Sequence, residues 1–290
     1  MKIAVLVENC ACTSRFQSEH GLCVYVENQG ERWLLDTGKT GMFLKNAIEC
    51  DVDIKKIDHV FLSHGQYDHV GGLKEFLKYN ERADVYVSRN ICKSHYSLRA
   101  DGQLHEIGID NALLENDRIV ICEMDTIGKA AVVIAHVEGN RFLSEANNNL
   151  FEYAKSGELC PDTFSDEQSL LLCDQDGTYM LYAGCAHRGI VNILESCKSK
   201  LGRYPDVVIG GFHLMIPNTK TSIDPDCVQE MGRYLKKLPC LYLTGHCTGQ
   251  EAFEILKEEL EERIQEIHAG NMFEIRKGNV FCLDDGRTLG

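Results

Sequence analysis

Short apolar runs at 3–7, 22–26 and 32–35, separated by polar residues, open the chain. Runs of that length bounded by polar connections predict strands, and their closeness in sequence predicts an antiparallel meander. Met42, Phe43, Ala47 and Ile48 fall at helical spacing within 41–50, so a helix packed on that sheet is expected. A buried strand at 60–62, a helix at 73–78 and a strand at 85–87 follow. From about 90 to 168 the pattern weakens. Strands are expected at 119–122 and 131–135, and 144–160, with Asn147-Asn148-Asn149, reads as a helix or an insertion loop capping a cleft. Beyond it, 169–173 and 179–182 predict a hairpin turning on Gln175-Asp176-Gly177. Helices at 190–200, 227–238 and 250–267 then alternate with strands at 207–209 and 241–243, before a closing strand near 280–282. Strands alternating with helices predict a layered α/β arrangement. No Pro/Gly-rich linker interrupts the pattern, so one domain over 1–290 is expected.

Composition narrows the function classes. With 290 residues the chain is long enough for a substantial core, and 44% hydrophobic and 26% charged residues are ordinary for a globular protein. A net charge of −14 argues against nucleic acid or an anionic membrane as the main partner, and no apolar run approaches a membrane span. Residues 1–9 read as a strand rather than a secretory signal. The fourteen cysteines are irregularly spaced, several among apolar neighbours (Cys23, Cys122, Cys173), which suits reduced thiols in a cytoplasm better than a disulfide framework.

The chemistry is concentrated at strand ends. After the 60–62 strand the chain delivers His64, Asp68 and His69 within six residues and then Gly71-Gly72. Imidazoles and a carboxylate at that density suit a divalent cation of the zinc, manganese or iron type. Paired glycines are expected there to let the backbone turn sharply. Three later runs also end abruptly in Gly plus His or Cys: YAGCAHRG (Cys185, His187), IGGFHL (His213) and LTGHCTG (His246, Cys247), with LLDTGKTG (Asp36, Lys39) a weaker case. Strand ends of layered α/β folds line clefts, so these residues are expected to converge. Lys39, Arg188, Arg99 and Lys220 are loop cations suited to hold a phosphate.

SHGQYDHVGG resembles the metal-binding loop of the metallo-β-lactamase superfamily, a His-x-His-x-Asp-His pattern after a strand. Together with GCAHRGIVNIL, GGFHL and TGHCTG it is similar to the branch of 7,8-dihydropterin-6-methyl-4-(β-D-ribofuranosyl)aminobenzene-5′-phosphate synthases and metal-dependent hydrolases. The resemblance implies a four-layer αββα sandwich. It also implies that His64 matches the first histidine, Asp68-His69 the closing pair and His246 the last histidine. Cys185 falls where other members carry a bridging carboxylate, with His187 a candidate ligand beside it. Asp166 and Glu167 lie near where a further histidine is usual. Gln66 replaces the second histidine, and an amide oxygen is a weak, neutral ligand.

The ligand set expected is therefore His64, Gln66, Asp68, His69, Cys185, His187 and His246. One divalent ion is expected to be held firmly and a second weakly or not at all. A thiolate at Cys185 favours zinc, with manganese or iron as alternatives. Asp68 is expected to act as general base or to orient a water, with His187 and His213 as further catalytic candidates. Lys39, Arg188 and His213 are the candidate substrate contacts, His213 as donor to the substrate or as a neighbour of the metal. The function expected is metal-dependent hydrolysis of a small phosphorylated or ester-like substrate. The alternatives are a dihydropterin-type condensing transferase and a ligand-binding protein with a partly decayed metal site.

Overall fold

The computed structural model describes residues 1–122, 126–284 and 286–289. Among them, two large sheets face each other. The first has nine strands in the order Thr288–Leu289, Asn279–Cys282, Met272–Arg276, Lys2–Val7, Cys23–Asn28, Glu31–Leu35, His59–Phe61, Asp84–Val87 and Ile119–Ile121. The second has seven: Ile264–Glu266, Leu241–Thr244, Val207–Gly210, Tyr179–Tyr182, Gln168–Cys173, Ala131–Ala135 and Thr126–Ile127. The opening meander is antiparallel, with Val26 opposite both Ile3 and Trp33. From Glu31–Leu35 through His59–Phe61 and Asp84–Val87 the pairing becomes parallel. In the second sheet it is parallel from Tyr179–Tyr182 to Ile264–Glu266. Parallel neighbours require crossovers, and the crossovers here supply the helices.

The period of two in each strand sorts side chains to opposite faces. Ile3, Val5, Trp33, Leu35 and Phe61 point between the sheets, where they meet Leu170, Leu172, Met180, Tyr182 and Leu243. Ala4, Leu6, Leu34 and Val60 face the other way, onto the helices Met42–Glu49 and Leu73–Tyr79 through Phe43, Ala47, Leu73 and Phe76. Leu171, Leu181, Val208 and Tyr242 face the helices Ile190–Leu201, Pro225–Leu235 and Gln250–Leu260. Helix, sheet, sheet and helix thus form the four layers that the family resemblance implied. Full burial of one Phe or Leu is worth about 2 kcal/mol, so these three interfaces supply most of the driving force for folding. No described helix is long and apolar enough to cross a membrane.

Three expectations are corrected. The helix predicted at 250–267 ends at Leu260, because Glu261 takes a left-handed φ of 55°. The fully buried Ile264 then joins the sheet edge as strand Ile264–Glu266. Segment 144–160 is neither a helix nor a plain loop: a short 3-10 turn, Glu145–Asn149, leads into strands Leu150–Tyr153 and Leu159–Pro161. These join His95–Leu98 and Leu104–Glu106 in a separate four-stranded sheet. Strand Met272–Arg276, unforeseen, closes the first sheet against Lys2–Val7. Gly71 and Gly72 also serve a different purpose from the turn expected, since both have ordinary helical φ values of −65° and −78°. A Cβ on either would stand 2.2 Å from a carbonyl oxygen of the 37–39 segment, so they allow two backbones to touch.

Candidate metal centre

The chemistry-bearing residues all follow carboxyl ends of strands. Glu8 and Asn9 follow Lys2–Val7, Asp36 follows Glu31–Leu35, and Ser63 and His64 follow His59–Phe61. Cys185 and His187, His213, and His246 and Cys247 follow three adjacent parallel strands of the second sheet. A one-turn helix, Tyr67–Val70, then carries Asp68 and His69 inward. At Gly184, a Cβ would lie 2.4 Å from Ser63 Oγ, so glycine lets the loops of the two sheets close on each other.

Four imidazoles share one arrangement, an anchored Nδ1 and an inward Nε2. His69 donates from Nδ1 to Asp36 Oδ2 at 2.6 Å. Its Nε2 lies 3.0 Å from Cys185 Sγ and 3.2 Å from His246 Nε2. His246 Nδ1 is 3.0 Å from Asn9 Oδ1, while its Nε2 is 3.2 Å from Asp68 Oδ2. His64 Nδ1 meets Ser63 Oγ at 2.9 Å and His187 Nδ1 meets Asn147 Oδ1 at 3.1 Å. The Nε2 atoms of His64 and His187 are buried without a partner. Anchoring one ring nitrogen fixes the tautomer that leaves the other bare, which is how metal-ligating histidines are held. The residues present therefore fit a bound cation. Donor groups within 4.8 Å of one another include His69/Cys185/His246, His64/Cys185/His187 and His20/Asp68/His246.

Electrostatics sharpen the picture. Burial disfavours charge on His64, and with His69 beside it the imidazolium pKa falls to about 3, so the ring is neutral and free to ligate. Burial also opposes charge on Asp68, but the His246 hydrogen bond and the His69 and His20 rings hold it well below the usual carboxylate range. Burial and the neighbouring His246 ring push His20 down to about 4. His246 is pushed up to about 9, because Cys247 and Asp68 outweigh its burial. The Cys185 and Cys247 sulfurs are 3.2 Å apart. Burial resists a thiolate at both, and the charge settles on Cys247, which has the Cys185 hydrogen bond and the His246 and His213 rings beside it.

A cavity of about 50 Å³, room for a few waters, opens over this centre. Gln66, Asp68, Cys185, His213, Arg99 and Lys220 line it. Gln66 is buried with its Nε2 unpartnered, at the cap of the Asp68-bearing turn. His187 lies deeper, stacked on Phe164 with ring centroids 4.3 Å apart. Lys39 is exposed, its ammonium 5.4 Å from the Tyr67 ring centroid at the rim. Arg188 is not brought to the cavity: its guanidinium donates to the Val137 carbonyl on another face. Asp166 and Glu167 sit beneath the centre rather than in it. Asp166 accepts from the Gly65 N–H and pairs with His95, and Glu167 accepts from the N–H groups of His187 and Arg188.

Several contributors escaped the sequence reading. His20 lies 3.4 Å from Asp68 Oδ2 with its ring 4.9 Å from His246, on a loop with no periodic signal. Glu8 accepts from the His246 N–H at 2.6 Å. Asn147 binds both the ring and the carbonyl of His187; its place in a polar triplet ahead of an apolar residue was the available hint.

The comparisons with known proteins agree with this geometry. Residues 19–138 match the family model for the metallo-β-lactamase superfamily. The 7,8-dihydropterin-6-methyl-4-(β-D-ribofuranosyl)-aminobenzene-5′-phosphate synthase of Methanocaldococcus jannaschii is 30% identical, over 94% of this chain and 96% of that protein. A crystal structure of a metal-dependent hydrolase of the β-lactamase superfamily superposes with a TM-score of 0.78 at 29% identity, covering 96% of this chain and all of that one. The fold protein YhfI from Bacillus subtilis matches with a TM-score of 0.53 at 14% identity, a likeness of fold alone.

Proposed function

The chain belongs to the metallo-β-lactamase superfamily, and we propose that it is a metal-dependent hydrolase of a small phosphorylated or ester-like substrate. The observation that carries this reading is the convergence of Asp68, His69, Cys185 and His246 from three separate strand ends. A divalent cation held by these residues, zinc by preference for the Cys185 sulfur, would polarise a phosphoryl or carbonyl oxygen and lower the pKa of water when bound. Asp68, ionised and at the cavity wall, accepts the proton of an attacking water or orients it. Asp36, Ser63, Asn9 and Asn147 keep their imidazoles in one tautomer throughout. His213 faces the cavity as a donor to the substrate. Arg99 and Lys220 at the rim receive a phosphate. Asn218 Nδ2 donates to the Leu98 carbonyl at 3.0 Å, tying the loop of Lys220 to the strand that precedes Arg99.

The test is turnover of a phosphoester and lactone panel by the metal-loaded protein and by His69→Ala. Hydrolysis abolished in the variant supports the reading. Tight retention of ligand by the wild type with no turnover of any member refutes it. The full-length similarity to a synthase favours a second reading, a condensing transferase of the dihydropterin type. Its mark is a joined product, detected by mass, from a dihydropterin and a ribofuranosylaminobenzene phosphate.

A further inference from the structure

Cys185, His213 and Cys247 form a donor set that the reading above does not use as a unit. Their ligand atoms lie within 4.8 Å of one another, and all three residues are buried. The two sulfurs are 3.2 Å apart, and neither ring nitrogen of His213 makes a hydrogen bond although the residue is only 5% exposed. Buried polar atoms without a partner are uncommon, and two on one imidazole point to a ligand. The three residues follow the neighbouring parallel strands Tyr179–Tyr182, Val207–Gly210 and Leu241–Thr244, so the sheet itself sets their spacing. A Cβ at Gly211 would stand 2.4 Å from Cys247 Sγ, so glycine there is what admits the sulfur. All three residues face the cavity.

We propose that Cys185, His213 and Cys247 make a second, soft-cation position that shares the Cys185 sulfur with the His69/His246 position, with two thiolates, one imidazole and a fourth place open to the cavity. The proposal rests on the centre being metal-binding, and it adds where a second ion sits and of what kind. The imidazole-rich alternative at His64 and His187 has Gln66 in place of a strong ligand, whereas two thiolates select zinc, cadmium or cuprous ions over manganese or magnesium. Three protein ligands with one open place is the pattern of a reactive zinc rather than a structural one. Loading removes the proton from each thiol, so a divalent cation bound by both releases up to two protons to solvent. A disulfide between the sulfurs would leave both His213 nitrogens as bare as before. A cation draws all three groups together.

Metal-free, reduced full-length protein titrated with cadmium tests this, read by sulfur-to-cadmium charge-transfer absorbance and by counting retained ions with native mass spectrometry. Cys247→Ala is expected to lose one retained cadmium and about half of the absorbance. His213→Ala, which keeps every thiol, is expected to bind that ion at least tenfold more weakly, while His64→Ala retains it. If Cys247→Ala and His213→Ala take up cadmium as the wild type does, and His69→Ala does not, the proposal falls and the metal centre stands. A wild type that retains no cadmium, zinc or manganese overturns both.

Discussion

Asp36 Oδ2 accepts three hydrogen bonds, from His69 Nδ1, Ser63 Oγ and Tyr182 Oη, each at 2.6 Å. Ser63 Oγ is in turn the partner of His64 Nδ1, so one buried carboxylate orients two imidazoles. Burial would raise the Asp36 carboxyl, but the His69 ring and these hydrogen bonds hold it below its ordinary value.

Asp36→Asn preserves the size of the side chain and removes its charge. We expect zinc affinity to fall about 10–100-fold, the range seen when the partner of a ligating histidine is lost. A chelator competition titration measures it. Unchanged affinity would mean that the ring orientation is set elsewhere.

Gln66→His restores an imidazole beside a bare His64 Nε2. The variant is expected to hold one more manganese ion firmly per chain than the wild type. Inductively coupled plasma mass spectrometry after gel filtration counts the ions. An equal count in both proteins would show that the weakness of that position does not come from the amide.

His95, 1% exposed, lies 2.6 Å from Asp162 and 3.1 Å from Asp166. Burial opposes its charge, but the two carboxylates prevail and push its pKa up to about 10. Because the folded value is raised above the unfolded one, its stabilisation is complete below about pH 6.5 and is lost progressively up to about pH 10. His95→Gln is expected to be less stable than wild type by about 3 kcal/mol near pH 6, with the gap closing towards pH 10. Urea melts of both proteins across that range measure it, and a constant gap would contradict the ion pairing.

Arg99→Ala should raise KM for a phosphorylated substrate about tenfold at near-constant kcat, and Lys220→Ala should do so less strongly because that lysine is exposed. Arg188→Met should leave KM within twofold, since that guanidinium bonds the Val137 carbonyl away from the cavity. Steady-state kinetics on the best substrate of the panel separates the two outcomes.

The layered core was legible because its strands and helices carry clean periods of two and of 3.6, as in Ile3/Val5 against Ala4/Leu6. The strand ends bearing His64, Cys185, His213 and His246 were legible for a related reason: an apolar run that stops at glycine and imidazole has few structural explanations. The four-layer stacking itself came from family resemblance. What stayed hidden depends on distance along the chain. Asn9 meets His246 across 237 residues, and nothing near either residue announces the pairing. The small sheet was missed because its strands are three or four residues long, one of them exposed at every position, too short for any period to show.

That small sheet leans on the Tyr67 turn through Ile107, Leu150 and Phe164 and reaches the opposite loop through Leu98. It contributes wall but no ligand to the groups that can hold a cation. On the proposed function, part of the substrate preference is therefore carried by a wall separable from the groups that hold the ion. Exchanging residues 96–106 and 150–161 for those of a relative should redirect what is accepted while leaving the inorganic core, and the His95 pairs beneath it, intact.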